Sequence, residues 1–270
     1  MKCEFYNLSF VSLIICVLFH QNTQAAFEYE QTSRNILNTS SPFYCLLATE
    51  YSECASSFLC KTHRLFGMKE LTDQQYLFEH QQGQWMISLR HHRMGHPLYH
   101  EQTTALGLGK RIGALLALQG FIRFHHVSVP NVITQHAVTL DLALSCRIAP
   151  DCFCRIRTSN ITRNHLPHDP SPLPQCFSST LILKAFSSTD LLFECNKEPF
   201  WHPQFILGAI FKPVRYVQLK GGISLQPGYS TYEVGVSVKR STLFYHIQLH
   251  PCLGATQGIS IRFQFNEARN

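Results

Sequence analysis

Four histidines stand close together in this chain, His91, His92, His96 and His100, and imidazole nitrogens suit zinc and copper. Their spacing is not that of an HExxH helix, and no carboxylate sits at a diagnostic offset, so they read as a polar strand end and the loop after it. Cys152-Phe153-Cys154 puts two thiols on one strand face, about 7 Å apart by strand rise, near the upper limit for a disulfide and unlike a redox CxxC. Acyl-transfer chemistry would need a serine, a histidine and a polar orienter in mutual hydrogen-bond reach. Ser224, Ser237, His125 and His246 are candidates for the first two roles, but no GxSxG is present. The chemistry-bearing residues therefore point to no enzyme, no metal site and no cofactor. A different set is informative: Arg123, Asp141, Arg155, Glu194, Lys220, Glu233, His246 and Arg262 are polar or charged positions embedded in apolar stretches.

What must hold these residues is clearest in the last fifty residues. Val217, Leu219, Gly221 and Ile223 alternate with Gln218, Lys220, Gly222 and Ser224. Tyr232, Val234, Val236 and Val238 alternate with Glu233, Gly235, Ser237 and Lys239. Two more segments, Leu243 to His250 and Ile259 to Asn266, repeat the pattern. Side chains on a strand point to opposite faces at every second residue, so each segment has one apolar and one polar face. Each runs about ten residues, the length of a membrane-crossing strand. The middle of the chain obeys the same rule, with Leu116, Leu118, Ile122 and Phe124 set against Gln119, Arg123 and His125. The eight embedded polar residues then face a lumen, and Val234, Ile247 and Ile261 face lipid. Bulky inward residues (Phe121, Phe153, Phe244 and Arg262) argue for a closed or gated lumen over a wide aqueous pore.

Composition fits an exported chain. Residues 1–26 read as a secretory signal, with Lys2 ahead of an apolar core from Leu8 to Phe19 and the small-residue cleavage pattern Thr23-Gln24-Ala25. That core is too short to span a bilayer as a helix, and no later stretch reaches the roughly 18 apolar residues a spanning helix needs. The formal net charge is +6, but the bases are scattered, without the clustered patch of a nucleic-acid binder. They recur at short turns (Lys110-Arg111, Lys212 and Arg215, Lys239-Arg240), a placement suited to anionic head groups. Of 11 cysteines, Cys3 and Cys16 fall in the signal, leaving Cys45, Cys54, Cys60, Cys146, Cys152, Cys154, Cys176, Cys195 and Cys252. This odd number gives no deducible pairing.

Residues 27–54 show no clear period and read as a periplasmic N-terminal segment. The alternating pieces fill 55–266, and 267–270 form a short tail. Within 55–266 the pieces number about fourteen, an even count that places both ends on one side. Tight connectors such as Lys110 to Gly113 and Lys239 to Ser241 alternate with longer ones such as Val127 to Thr134 and Asn160 to Pro174, the rhythm of outer-membrane barrels. Asn160-Ile161-Thr162 also matches a glycosylation sequon, a triplet frequent by chance. The fold expected is all-β, an up-and-down antiparallel transmembrane β-barrel.

Particular stretches carry a family resemblance. His63-Arg64-Leu65-Phe66-Gly67-Met68-Lys69-Glu70-Leu71, Tyr99-His100-Glu101 and Ala105 to Gly113 are the first. Leu207-Gly208-Ala209, Lys212-Pro213-Val214, Leu219 to Ile223 and His250-Pro251-Cys252-Leu253-Gly254 follow. In spacing and small-residue positions these resemble the PorV-like, FadL-superfamily outer-membrane barrels of the Bacteroidota. The resemblance spans roughly residues 60 to 266. It implies a fourteen-strand-type barrel without cofactor, in hydrophobic-solute passage or as an accessory of protein export. The partners implied by the whole reading are outer-membrane lipid, the barrel-assembly machinery, and secretion-system components or a hydrophobic small molecule, with no nucleic acid. The alternative class is a soluble secreted or periplasmic β-rich binding protein stapled by some of its cysteines.

Overall fold

The structure, a computed structural model, describes residues 54–266 except 97, 131–132, 165, 167–172, 174, 200–201 and 226–227. The signal expected over 1–26, the N-terminal segment expected over 27–54 except for Cys54, and the tail 267–270 lie outside the described residues. Among the described residues fourteen strands follow one another. They are β1 (Cys54–Arg64), β2 (Thr72–Gln82), β3 (Trp85–His96), β4 (Tyr99–Ile112), β5 (Leu116–Val129), β6 (Ile133–Ala149) and β7 (Cys152–Ser159). The second half has β8 (Cys176–Phe186), β9 (Thr189–Lys197), β10 (Gln204–Val214), β11 (Val217–Ser224), β12 (Tyr229–Val238), β13 (Ser241–His250) and β14 (Gly254–Asn266). Each pairs antiparallel with its sequence neighbour, and β1 pairs with both β2 and β14, so the sheet closes on itself. Closure removes every free strand edge, which is what hydrocarbon demands of a spanning sheet.

Strand boundaries agree with the alternation to within a few residues. One short helical element stands among the described residues, a 3-10 turn at Leu65–Gly67 that the alternation pattern does not indicate. It opens the β1–β2 connector, with Phe66 at φ 53 and its N–H donated to Thr256 Oγ1 at 3.1 Å.

The two ends of the barrel differ. At one end lie residues 54 and 266 together with tight turns: 83–84, 113–115, 150–151, 187–188, 215–216 and 239–240. Gly113 (φ 67) and Lys239 (φ 54) supply the left-handed backbone that such short reversals need. At the other end lie the longer connectors, including 160–175 between β7 and β8.

Burial is inverted relative to a water-soluble domain. Leu108, Ile87, Val234 and Ile259 are each about half exposed on the outside, while Asp141 and Gln119 are 1% exposed inside. An apolar belt of this extent far exceeds the few hundred Å² a soluble monomer shows. Trp85 and Tyr216 stand exposed at the turn end, each with a cation over its ring, Lys110 at 4.9 Å and Arg215 at 4.4 Å. That is the arrangement of an aromatic girdle at a membrane interface.

Candidate functional site: the barrel lumen

The lumen wall is organised by rings lying across glycines. Phe244 on β13 is directly opposite Gly235 on β12, Phe121 on β5 is opposite Gly107 on β4, and His63 on β1 is opposite Gly258 on β14. A side-chain carbon on any of these glycines would collide with the facing ring, so the absence of one lets the ring lie along the wall. Each phenyl face then becomes a platform for cations. Arg90 and Arg157 approach Phe121 at 5.1 and 5.9 Å, and Lys220 and Arg262 approach Phe244 at 5.0 and 5.5 Å.

Alternation and closure put all eight sequence-selected polar residues inside. Arg123, Asp141, Glu194, Lys220, Glu233 and His246 are buried, and Arg155 and Arg262 half-buried. They do not form one cluster. Asp141 Oδ2 is shared by Arg123 Nη2 at 2.7 Å and Arg157 Nη2 at 2.8 Å. Its other oxygen accepts the Asn160 N–H at 3.1 Å. Glu194 accepts from Asn196 Nδ2 at 2.8 Å. Arg155 lies in the field of Glu79, Glu194 and Arg90, and Arg262 in that of Glu79.

The sequon asparagine is structural. Asn160 is 2% exposed and donates its amide to Leu173 O at 2.7 Å. Its carbonyl accepts the Asn164 N–H at 3.1 Å, folding the base of the 160–175 loop.

On the opposite side, Lys220, Glu233, His246 and Ser260 form a chain. Lys220 Nζ contacts Glu233 Oε1, Glu233 Oε2 lies 2.7 Å from His246 Nδ1, and His246 Nε2 lies 2.8 Å from Ser260 Oγ. Serine, histidine and carboxylate in this order have the distances of a nucleophile-activating triad. Access decides against catalysis: Ser260 is 3% and His246 5% exposed. The imidazole is flanked by the His63 ring at 5.4 Å and the Phe244 ring at 6.2 Å. The chain therefore packs as covered polar groups of the wall.

Ser224 bonds Gln204 Nε2 at 3.1 Å, Ser237 bonds Thr242 Oγ1 at 3.0 Å, and His125 lies between Thr103 and Thr139. The four neighbouring histidines are split by strand alternation. His92 points inward to Asp73, which also faces His63 at 3.6 Å. His91 takes Thr104 Oγ1 at 2.9 Å, His96 accepts the Leu98 N–H, and His100 packs on His126. Among the described residues no group of three or more metal-ligand side chains is placed to hold an ion.

Three apolar side chains interrupt the polar lining: Ile206 is paired with Glu194, and Ile210 with both Asp190 and Lys220. Leu192 on β9, with Ile206 and Ile210 on β10, are buried inward-facing residues, and Ile206 packs with Tyr229 of β12. Inward-facing Gly208 lies between the two isoleucines.

No protein-family model matches the sequence, and no curated protein matches it either. Solved structures do match. The Pseudomonas putida toluene transporter TodX superposes with a TM-score of 0.58 at 8% identity, over 86% of this chain and 94% of TodX. The monoaromatic hydrocarbon channel CymD gives 0.59 at 7% identity, again over 86% and 94%. A Pseudomonas aeruginosa FadL homologue gives 0.52 at 6% identity, over 80% and 90%. The likeness is one of fold. This chain shares its closed barrel with these channels.

Proposed function

We propose that this chain is a non-enzymatic outer-membrane barrel through which small, largely apolar solutes pass. The fold likeness to hydrocarbon channels supports the transport role, and the apolar outer belt supports a lipid-embedded barrel. The observation that carries the solute class is the presence of Leu192, Ile206 and Ile210, apolar side chains set among Asp190, Glu194 and Lys220 on an inward face that a water-filled porin would line with polar groups throughout. Outer-membrane lipid and the barrel-assembly machinery are the partners this reading requires. Residues 1–26 serve as its export signal.

The test is uptake of a radiolabelled monoaromatic hydrocarbon by cells expressing the full chain, compared with Ile206→Asn. Uptake above vector control that falls with Ile206→Asn supports the proposal; uptake equal to the control overturns it. The sequence resemblance to PorV-like barrels favours a second role, as an accessory of protein export. Co-purification of secretion-system components with the detergent-extracted barrel tests it, and a barrel purified alone after mild crosslinking argues against it.

A further inference from the structure

The wall from β3 to β7 carries charges that the solute path leaves unexplained. On β3 and β5, Arg90 and Arg123 stand at the same level, each directly opposite Ala105 of the intervening β4. Antiparallel spacing puts their backbones about 10 Å apart. Small residues at Ala105 and Gly107 keep this part of the wall low, and Phe121 lies over Gly107. Arg157 of β7 reaches the same ring as Arg90 and the same carboxylate as Arg123. Arg90 and Arg157 thus meet at the Phe121 ring, and Arg123 and Arg157 at Asp141. The neighbouring acid does not balance them. Glu79 stands 3.7 Å from Arg90, beyond hydrogen-bond length, and divides its field among Arg90, Arg262 and Arg155.

A second observation concerns hydrogen bonding at the same wall. Arg90 Nε and Nη2, Arg157 Nε, the Ser88 hydroxyl and the Gln119 amide are buried without a hydrogen-bond acceptor or donor among the described residues. Ser88 faces Gly107 across β3–β4, and Gln119 lies two residues before Phe121 on the same face. Buried donors are ordinarily satisfied, and each exception calls for a partner. Like charges gathered in a low-dielectric wall call for a counter-charge. An anion answers both demands, since arginine matches planar or tetrahedral oxyanions through paired N–H donors. Arginine-lined lumens are also how anion and phosphate pores select their ions.

We propose that the β3–β7 wall binds a small oxyanion, a phosphate, carboxylate or sulfonate group, between Arg90, Arg123 and Arg157, with Ser88 and Gln119 supplying further hydrogen bonds. The site uses strands β3 to β7 and none of Leu192, Ile206 and Ile210 on β9 and β10, and it is independent of whether hydrocarbons pass.

The test uses the full barrel in detergent micelles and inorganic phosphate as probe. Its unfolding midpoint, followed by the loss of the compact form on unboiled gels, is measured in potassium phosphate and in potassium chloride at matched ionic strength. The expected result is a saturable rise of several degrees in phosphate, absent in Arg90→Gln and Arg157→Gln. Arg157→Lys, which keeps the charge, retains part of the rise and separates lost binding from a damaged fold. Equal midpoints in the two salts, or a full rise in both glutamine variants, overturn the proposal. Loss of hydrocarbon uptake has no bearing on this shift, so the two readings fail separately.

Discussion

The Phe244 ring occupies the space a β-carbon on Gly235 would need: two of its ring carbons lie 2.5 Å from that position. Lys220 and Arg262 rest on the ring so placed, and Lys220 in turn meets Glu233. One missing side chain therefore positions a ring, two cations and a carboxylate. Gly235→Ala should push the ring into the lumen and destabilise the barrel by about 1–3 kcal/mol, the usual cost of overpacking. Gly120 is the control, because a β-carbon there meets only Leu142 at 3.7 Å. Urea unfolding of both variants in lipid vesicles measures the difference, and equal midpoints would remove the ring-over-glycine account.

Asp141 is the sole carboxylate contacting both Arg123 and Arg157 in the ion pairs described, and it also holds the Asn160 N–H. Asp141→Asn keeps the size but leaves two guanidinium groups facing each other. Breaking a buried pair on one side costs about 3–5 kcal/mol, whereas replacing all partners by apolar residues costs far less. The triple replacement of Asp141, Arg123 and Arg157 by leucine should thus be more stable than Asp141→Asn alone. The single variant should also loosen the base of the 160–175 loop, seen as faster proteolysis there.

The fold was legible because a membrane barrel writes its two solvents into alternate residues. Leu116, Leu118, Ile122 and Phe124 against Gln119, Arg123 and His125 needed no tertiary information. Contacts across strands were another matter. That Phe121 lies over Gly107, or that Arg90 joins Arg157 on its ring, depends on register between β3, β4, β5 and β7, which face alternation leaves undetermined. Ser260 was passed over for the same reason, although a signal existed. The short 251–253 connector pairs His250 with Gly254 and hence His246 with Gly258, putting Ser260 one diagonal step from His246. Glu79 and Asp73 were missed because polar Gln74 and His80 on the outer face and apolar Leu77 on the inner one blur the alternation of β2.

The Ser260–His246–Glu233 chain makes a negative prediction with a positive half. A fluorophosphonate ester probe should not label the folded barrel at Ser260, since the hydroxyl is covered. Ser260→Ala should nonetheless lower stability by about 1 kcal/mol, the worth of one buried hydrogen bond plus the stranded His246 nitrogen. Mass spectrometry of probe-treated protein decides the first half. A labelled Ser260 would mean that the lumen opens enough to admit an acyl group.

Register is also tested by the thiols. Cys146 on β6 and Cys154 on β7 are direct cross-strand partners, although only Cys152 and Cys154 shared a face on the sequence pattern. Opposed residues on antiparallel strands have Cα atoms about 4.5–5.5 Å apart, inside the window for a disulfide. Both are partly exposed on the outer face and are free thiols here. Diamide, itself reduced to the hydrazine as it accepts the two electrons and two protons released, should join Cys146 to Cys154 and leave Cys60 open to alkylation. Peptide mapping under non-reducing conditions reads the product. A Cys152–Cys154 bridge with Cys146 unreacted would mean that β6 and β7 pair out of the register seen here, which would shift Asp141 away from Arg157 and remove one wall of the anion site.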